Sequence, residues 1–334
     1  MRKFTTLLFS FALFFLFTNI SHAGEMPDIT VKTNGTVQFW GSFAQTDTDT
    51  AEAGFGLRRV RLRFTGTMGP NLKAFVQMEL TTPKLLDARI QYKLSENAEL
   101  RVGRFIGAGM RGGGLTSHTV IDIIERPVSA QKWGSMTIGA DYRDYGMALL
   151  GKFSDISYNI TLHNGDGAVN IKPSHKSTAS TQTTGAAVSG MLTYKPATVK
   201  GLEAGGYYGM GNKYFNEYSS YSGYLYFEPL PYRVKAEYVA VVDKNGPKDV
   251  TFNGYYIFGA YRIQNNIELL ARWEQVDPNT DVDKNEETDI TFGASYAFFP
   301  EKWSASNITA AYVIQDEDAN IDNNIFYIMF QLVF

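Results

Sequence analysis

The sequence predicts an all-β chain closed into a transmembrane antiparallel barrel, and three observations predict it. Alternating apolar and polar residues recur in a series of sixteen short runs, each long enough for one strand. The joins between those runs alternate between tight and long. Beyond the first residues nothing approaches ~18 consecutive apolar residues, and the only helical period is a weak one inside Thr116 to Gln131, so helices do not carry this chain across a bilayer.

The N-terminus sets the destination. Arg2 and Lys3 precede the apolar run Leu7 to Phe17 and then Ser21-His22-Ala23, the pattern of a secretory signal peptide over residues 1–23. The mature chain is expected to start at Gly24 and to form one barrel domain over residues 24–334. Losing Arg2 and Lys3 leaves 29 basic against 34 acidic residues. With no cysteine, an exported chain has neither disulfides nor thiolate metal ligands, and burial and backbone pairing must hold the fold.

Strands are expected, in order, at about Gly35 to Gln45, Phe55 to Thr67, Asn71 to Thr81, Leu85 to Leu94, Ala98 to Ile106, Tyr145 to Ser154, Ile156 to Asn164 and Gly185 to Tyr194. Eight more follow at Gly201 to Gly211, Ser219 to Glu228, Pro231 to Val242, Val250 to Arg262, Asn266 to Val276, Thr288 to Phe298, Ser304 to Gln315 and Asn323 to Phe334. Joins after even-numbered strands are tight, as at Met68-Gly69-Pro70 and Gln264-Asn265. Those after odd-numbered strands are long, Pro83-Lys84 excepted. Both termini fall at the tight-turn end, the layout of an outer-membrane barrel, whose closure leaves no strand edge for lipid to satisfy. The last strand ends in the apolar face Phe326, Ile328, Phe330, Leu332 and Phe334. That face resembles the terminal strand by which bacterial outer-membrane proteins are recognised for assembly.

Lipid outside decides the faces. A cation on the lipid face costs ~2 to 4 kcal/mol near the midplane, so in Gly56 to Gly66 the set Val60, Leu62 and Phe64 faces out and Arg59, Arg61 and Arg63 face the lumen. The same test puts Lys73, Arg89, Lys93 and Arg101 inside with Glu79, Asp87 and Glu99: a basic wall in an acidic protein. Arg58 falls on the Val60 face and is expected to snorkel to the headgroups. Arg104 is aimed outward unless Gly103 introduces a bulge or the strand has already left the membrane.

Sixteen strands enclose water, and something must narrow that lumen to give selectivity. The long third connection, Gly107 to Asp144, is expected to fold inward. It offers Arg111, Arg126 and Lys132 beside Asp122 and Glu125 as constriction residues. Its start spells GxGxxG, but no βαβ unit follows, so the glycines read as a flexible entry rather than a nucleotide site.

Five segments, LRRVRLRFTG, Val102-Gly103-Arg104-Phe105, Glu125-Arg126-Pro127, Arg143-Asp144-Tyr145-Gly146 and His163-Asn164-Gly165, resemble the phosphate-selective porin O and P family of Gram-negative outer membranes. The resemblance is best from Phe55 to Gly167. It implies a sixteen-stranded homotrimeric channel set in outer-membrane lipid and lipopolysaccharide. Small hydrophilic solutes, anions such as phosphate or polyphosphate among them, would be guided by Arg59, Arg61 and Arg63 toward Arg111, Arg126 and Lys132. The third loop lacks the family's lysine cluster and Ile106-Gly107-Ala108-Gly109 replaces its proline, departures that bear on phosphate rather than on the fold.

Two other functions compete. Asp122 and Glu125 opposite the arginines would give a general porin a transverse field without anion choice. A barrel enzyme would need a base from His118, His163 or His175, and no orienting carboxylate is identifiable beside Ser117-His118. No cofactor is expected. The runs Asp277-x-Asn279-x-Asp281-x-Asp283 and Asp316-x-Asp318-x-Asn320-x-Asp322 lack the Gly and Glu of a calcium loop and read as solvated acidic loops, not metal sites.

Overall fold

A computed structural model describes residues 27–44, 52–165, 186–213, 216–244, 246–317 and 323–334. The signal-peptide segment, His175 and the run from Asp318 to Asp322 lie outside the described residues. Sixteen antiparallel strands form one closed barrel in which each pairs with its sequence neighbours and the last returns to the first. They are β1 (Ile29–Ala44), β2 (Glu52–Met68), β3 (Leu72–Glu79), β4 (Lys84–Ser95), β5 (Ala98–Phe105), β6 (Asp144–Phe153), β7 (Ile156–His163) and β8 (Ala187–Tyr194). The series continues with β9 (Leu202–Lys213), β10 (Asn216–Phe227), β11 (Tyr232–Asp243), β12 (Val250–Gln264), β13 (Ile267–Asp277), β14 (Glu287–Ala297), β15 (Ser306–Glu317) and β16 (Ile325–Val333). Every expected strand is present. The largest boundary difference is in β1, which begins at Ile29 and pairs with the far end of β2 through Ile29↔Met68, although Thr30 to Asn34 carry little apolar alternation.

Closure runs from Thr36↔Val333 to Ala44↔Ile325. The Gly35 N–H donates to the Phe334 carbonyl at 2.6 Å and the Phe334 N–H donates back to Gly35 at 3.0 Å, so the terminal residue seals the seam. Each such group left unpaired in hydrocarbon would cost several kcal/mol. Phe326, Phe330, Leu332 and Phe334 are exposed on the outer face, whereas Met329 and Gln331 are buried inside. Deleting Phe334 is therefore expected to lower sharply the amount of heat-modifiable, membrane-assembled barrel; recovery at wild-type level would remove the role assigned to this residue.

Among the described residues one α-helix interrupts the strands, α1 (Val128–Met136), at the C-terminal edge of the segment where a weak helical period is expected. Trp133 drives its placement. Its ring is 1% exposed, stacks on Tyr142 and meets the Tyr207 ring edge-on, and its indole N–H donates to Ser220 at 2.9 Å. The helix is thus held against the β9–β13 side. An epitope inserted at Asp281, in a long connection, is expected to be detected on intact cells and one at Asn97 or Asn265 to be hidden; surface labelling at Asn97 would invert the orientation.

Candidate functional site

The inward arginines come from β2 and its neighbours. Arg59 is 5% exposed and donates to Gln38 Oε1 at 3.0 Å, while Phe55 and Leu57 on the opposite face are exposed. Between these residues the strand carries a bulge: Gln38 pairs with Arg59 but Phe39 with Leu57, which leaves Arg58 as the extra residue. This corrects the expectation of snorkelling. Arg58 lies 5.2 Å over the Trp40 ring and forms an ion pair with Glu125 of the third connection, so the lumen receives both Arg58 and Arg59.

Most of the basic wall is paired. Arg61 Nε contacts Glu79 at 2.8 Å, Arg89 contacts Asp87 at 3.3 Å, Arg101 contacts Glu99 at 3.0 Å, and Arg59 reaches Glu125 at 3.4 Å. Arg63 donates to the Thr36 hydroxyl at 3.2 Å. Among the described residues neither Arg63 nor the exposed Lys73 forms an ion pair. Gly103 resolves the question of Arg104: its φ of 123° is a backbone few side chains tolerate, and beyond it Arg104 turns onto the Leu85 and Leu86 carbonyls and Asp141 at 2.8 Å.

The third connection meets inward side chains on opposite walls. The Ala108 N–H donates to Thr161 of β7 at 3.0 Å, and the His118 and Thr119 carbonyls accept from Gln38 of β1 at 2.9 Å and Gln331 of β16 at 3.0 Å. Glu237 of β11 takes the N–H groups of Arg111 and Gly112 at 2.6 and 2.7 Å, one on each carboxylate oxygen. Glu274 of β13 takes the Val128 N–H at 2.6 Å, where α1 starts and its backbone donors are unspent. The glycines belong to this docking rather than to flexibility. A Cβ on Gly112 would stand 2.8 Å from the Tyr256 hydroxyl and 2.9 Å from Glu237, and one on Gly107 2.7 Å from Thr161, so only glycine lets the backbone come this close to the wall.

The five loop residues expected to form the constriction divide into anchors and lining. Arg111 is tied to Glu203 of β9 at 2.7 Å and Lys132 to Glu287 of β14 at 2.5 Å, so both neutralise glutamates of the far wall. Asp122 is bound to Arg233 and, at 2.7 Å, to Lys235 of β11, away from the arginine wall. Glu125 alone faces β2. Burial would raise its carboxyl, but the Arg58 hydrogen bond and the charge of Arg59 hold it below the ordinary glutamate range. Arg126 donates to the Gly113 and Thr116 carbonyls at 2.9 and 2.5 Å and crosses the Tyr142 ring; burial lowers it to about 10, which leaves it cationic at neutral pH.

Two cavities flank the segment Leu115 to His118, which lines both. The one toward the long connections holds 510 Å³ between the β2–β4 wall and the loop and is lined by seven cationic side chains and four carboxylates. The one toward the tight turns holds 590 Å³ with five cationic side chains and four carboxylates. His118 at the partition is buried, and desolvation together with Arg61, Arg63 and Arg59 pushes its pKa far below the usual value, so it stays neutral there. Of the functional residues, sequence reasoning missed Arg58, the anchors Glu237 and Glu274, and Arg143, which lines the arginine-rich cavity and contacts Asp87 at 2.8 Å. The first had a visible signal, because apolar residues stand at odd positions through Leu57 and at even ones from Val60, a phase slip that requires one inserted residue. The others are set by long-range contacts that no local pattern encodes. In the Asp277 to Asp283 run, Asp281 pairs with Lys248 at 3.0 Å.

With this geometry in place, comparison gives the family. Residues 10–330 match the family described as Gram-negative porin. No curated protein gives a significant match. Among solved structures the chain is similar to an anion-selective porin from Comamonas acidovorans at 14% identity and a TM-score of 0.68, covering 92% of this chain and 100% of that one. It is also similar to the outer-membrane channel DcaP of Acinetobacter baumannii (14%, TM-score 0.63, 94% and 99% covered) and to OmpT of Vibrio cholerae in a trimer form (12%, TM-score 0.66, 92% and 99% covered). At these identities the likenesses establish the fold, and the family match identifies the class more broadly than the phosphate-selective group. The chain belongs to the Gram-negative porin family: it is a channel of the outer membrane rather than an enzyme.

Proposed function

We propose that this porin passes small hydrophilic solutes with a preference for anions. The observation that carries the reading is the charge balance of the 510 Å³ cavity, seven cationic side chains against four carboxylates, in a chain whose total charge is negative. Charges of one sign on the walls of a narrow aqueous passage raise the local concentration of counter-ions. The partnering of Arg59, Arg61 and Arg89 by carboxylates moderates each site, which favours release as well as entry, as conduction requires. In a potassium chloride gradient the wild-type zero-current potential is expected to lie toward the chloride equilibrium potential; a potential on the potassium side would reject the reading.

Within anions, phosphate is favoured by one observation. Among the described residues, Arg63 Nε and Gln77 Nε2 are buried N–H groups without a hydrogen-bond partner, and Gln77 stands opposite Arg63 in the β2–β3 register. An oxyanion with several acceptor atoms can satisfy donors that a chloride cannot satisfy together. Replacing chloride by phosphate under bi-ionic conditions tests this, and a phosphate permeability well below that of chloride would oppose it. Assembly as a homotrimer amid lipopolysaccharide, supported by the trimer form of the similar Vibrio cholerae protein, belongs to the same proposal and is checked by cross-linking in membranes. So does export with cleavage after Ala23, which N-terminal sequencing reads directly.

A further inference from the structure

The cavity at the tight-turn end differs in kind from the arginine-lined one. Its cations and carboxylates are nearly balanced, and most are closed against one another: Arg233 contacts Glu228 at 2.8 Å and Glu268 at 2.9 Å, and Lys235 contacts Glu228 at 3.3 Å. One pair is open. Arg262 approaches Glu268 only to 3.7 Å, beyond hydrogen-bond reach, while its guanidinium lies 4.1 Å over the Trp303 ring. Arg262 Nε and Glu268 Oε1 are both buried without a hydrogen-bond partner among the described residues, and Glu268 is 1% exposed. An unmet N–H and an unmet carboxylate oxygen therefore belong to the same pair at the edge of a 590 Å³ space.

A simple anion entering this space gains Arg262 but meets Glu228, Glu268 and the exposed Glu301, and a simple cation gains the glutamates but meets Arg233, Lys235 and Arg262. A solute carrying both charges meets neither penalty. We infer that this cavity is a station for small zwitterions bearing a carboxylate and an ammonium group, the amino-acid class. The carboxylate addresses the guanidinium of Arg262, whose other face Trp303 supports, and the ammonium addresses the unmet Oε1 of Glu268 and the exposed Glu301. The wall of arginines ahead of it does not oppose a solute of zero net charge, so the two cavities in series sort different solutes. The inference rests on the chain being an aqueous channel and is independent of its anion preference.

Tracer uptake into proteoliposomes tests it with three solutes of equal carbon count: alanine as zwitterion, lactate as anion and 1,2-propanediol as neutral reference. Alanine is expected to enter faster than propanediol at low concentration and to saturate, while propanediol flux stays linear. Arg262→Gln should abolish both the advantage and the saturation. Glu301→Gln, at an exposed site where folding is not at risk, should lower the alanine advantage as well and carries the test if the first variant assembles poorly. Alanine no faster than propanediol, or an advantage that survives both substitutions, overturns the proposal. The lactate-to-propanediol ratio reports anion preference separately, so failure of one reading does not mask failure of the other.

Discussion

Glu237→Gln is expected to convert a steady channel into a fluctuating one with a larger mean conductance. In the wild type the two oxygens of Glu237 each accept a backbone N–H, from Arg111 at 2.6 Å and Gly112 at 2.7 Å, and Tyr226 and Tyr256 converge on the same carboxylate. The amide keeps the shape but turns one acceptor into a donor, so one N–H of the loop faces another N–H inside a wall where Glu237 is 3% exposed. A hydrogen bond to a charged group contributes ~1.5 to 3 kcal/mol, and an unsatisfied buried donor adds a penalty of similar size. A loss of ~3 kcal/mol raises the population of the detached loop about a hundredfold. Glu274→Gln, at a side chain that accepts one loop N–H, that of Val128, and also contacts Arg272 at 2.7 Å, should act in the same direction with a smaller effect. Single-channel recording reads the result as added sub-levels, and open-channel noise equal to wild type would show that the loop is held elsewhere.

The second large effect concerns charge. Replacing Arg59, Arg61 and Arg63 together by Gln keeps polar side chains of comparable reach and leaves Glu79 and Glu125 without these guanidinium partners. Three positive charges are lost, and the carboxylates that they offset now face the passage. Arg58 partly protects the variant, since it retains its ion pair with Glu125. Adding Arg58→Gln should therefore bring the arginine-lined cavity to four cations against four carboxylates and remove anion preference altogether. Like charges ~7 Å apart lie within the ~8 Å Debye length of physiological salt, so the effect should be largest at low ionic strength and shrink as salt rises. A selectivity change independent of salt would argue against a through-solvent field.

Much of the barrel was legible because lipid outside and water inside impose a two-residue period that each strand must obey alone. Tight turns after even-numbered strands and the apolar face ending at Phe334 gave number, closure and orientation of the elements. The site was legible only where the same local rule reached it. Alternation alone puts Arg59, Arg61 and Arg63 inward, but the Arg58 bulge depends on how β1 pairs with β2, and strict alternation assigns that residue to the lipid face. Inside the lumen the rule fails. Arg111 and Lys132 carry charge suited to an anion path yet spend it on Glu203 and Glu287, partners separated from them by 92 and 155 residues. The glycine run showed the opposite ambiguity, since a residue without a side chain serves a mobile entry and a close docking equally well. Only the positions of Tyr256, Glu237 and Thr161 decide between them.

The proposed anion preference rests on the cationic surplus beside β2. The measurement that tests it most directly is the zero-current potential across a potassium chloride gradient at low ionic strength, recorded for the wild type and for the Arg59→Gln, Arg61→Gln, Arg63→Gln variant side by side. A wild-type potential toward the chloride equilibrium value and a clear displacement toward the potassium value in the variant are expected, with assembled barrel in both. An unchanged potential in a correctly assembled variant would contradict it and would move the selecting charges to other groups of the lumen.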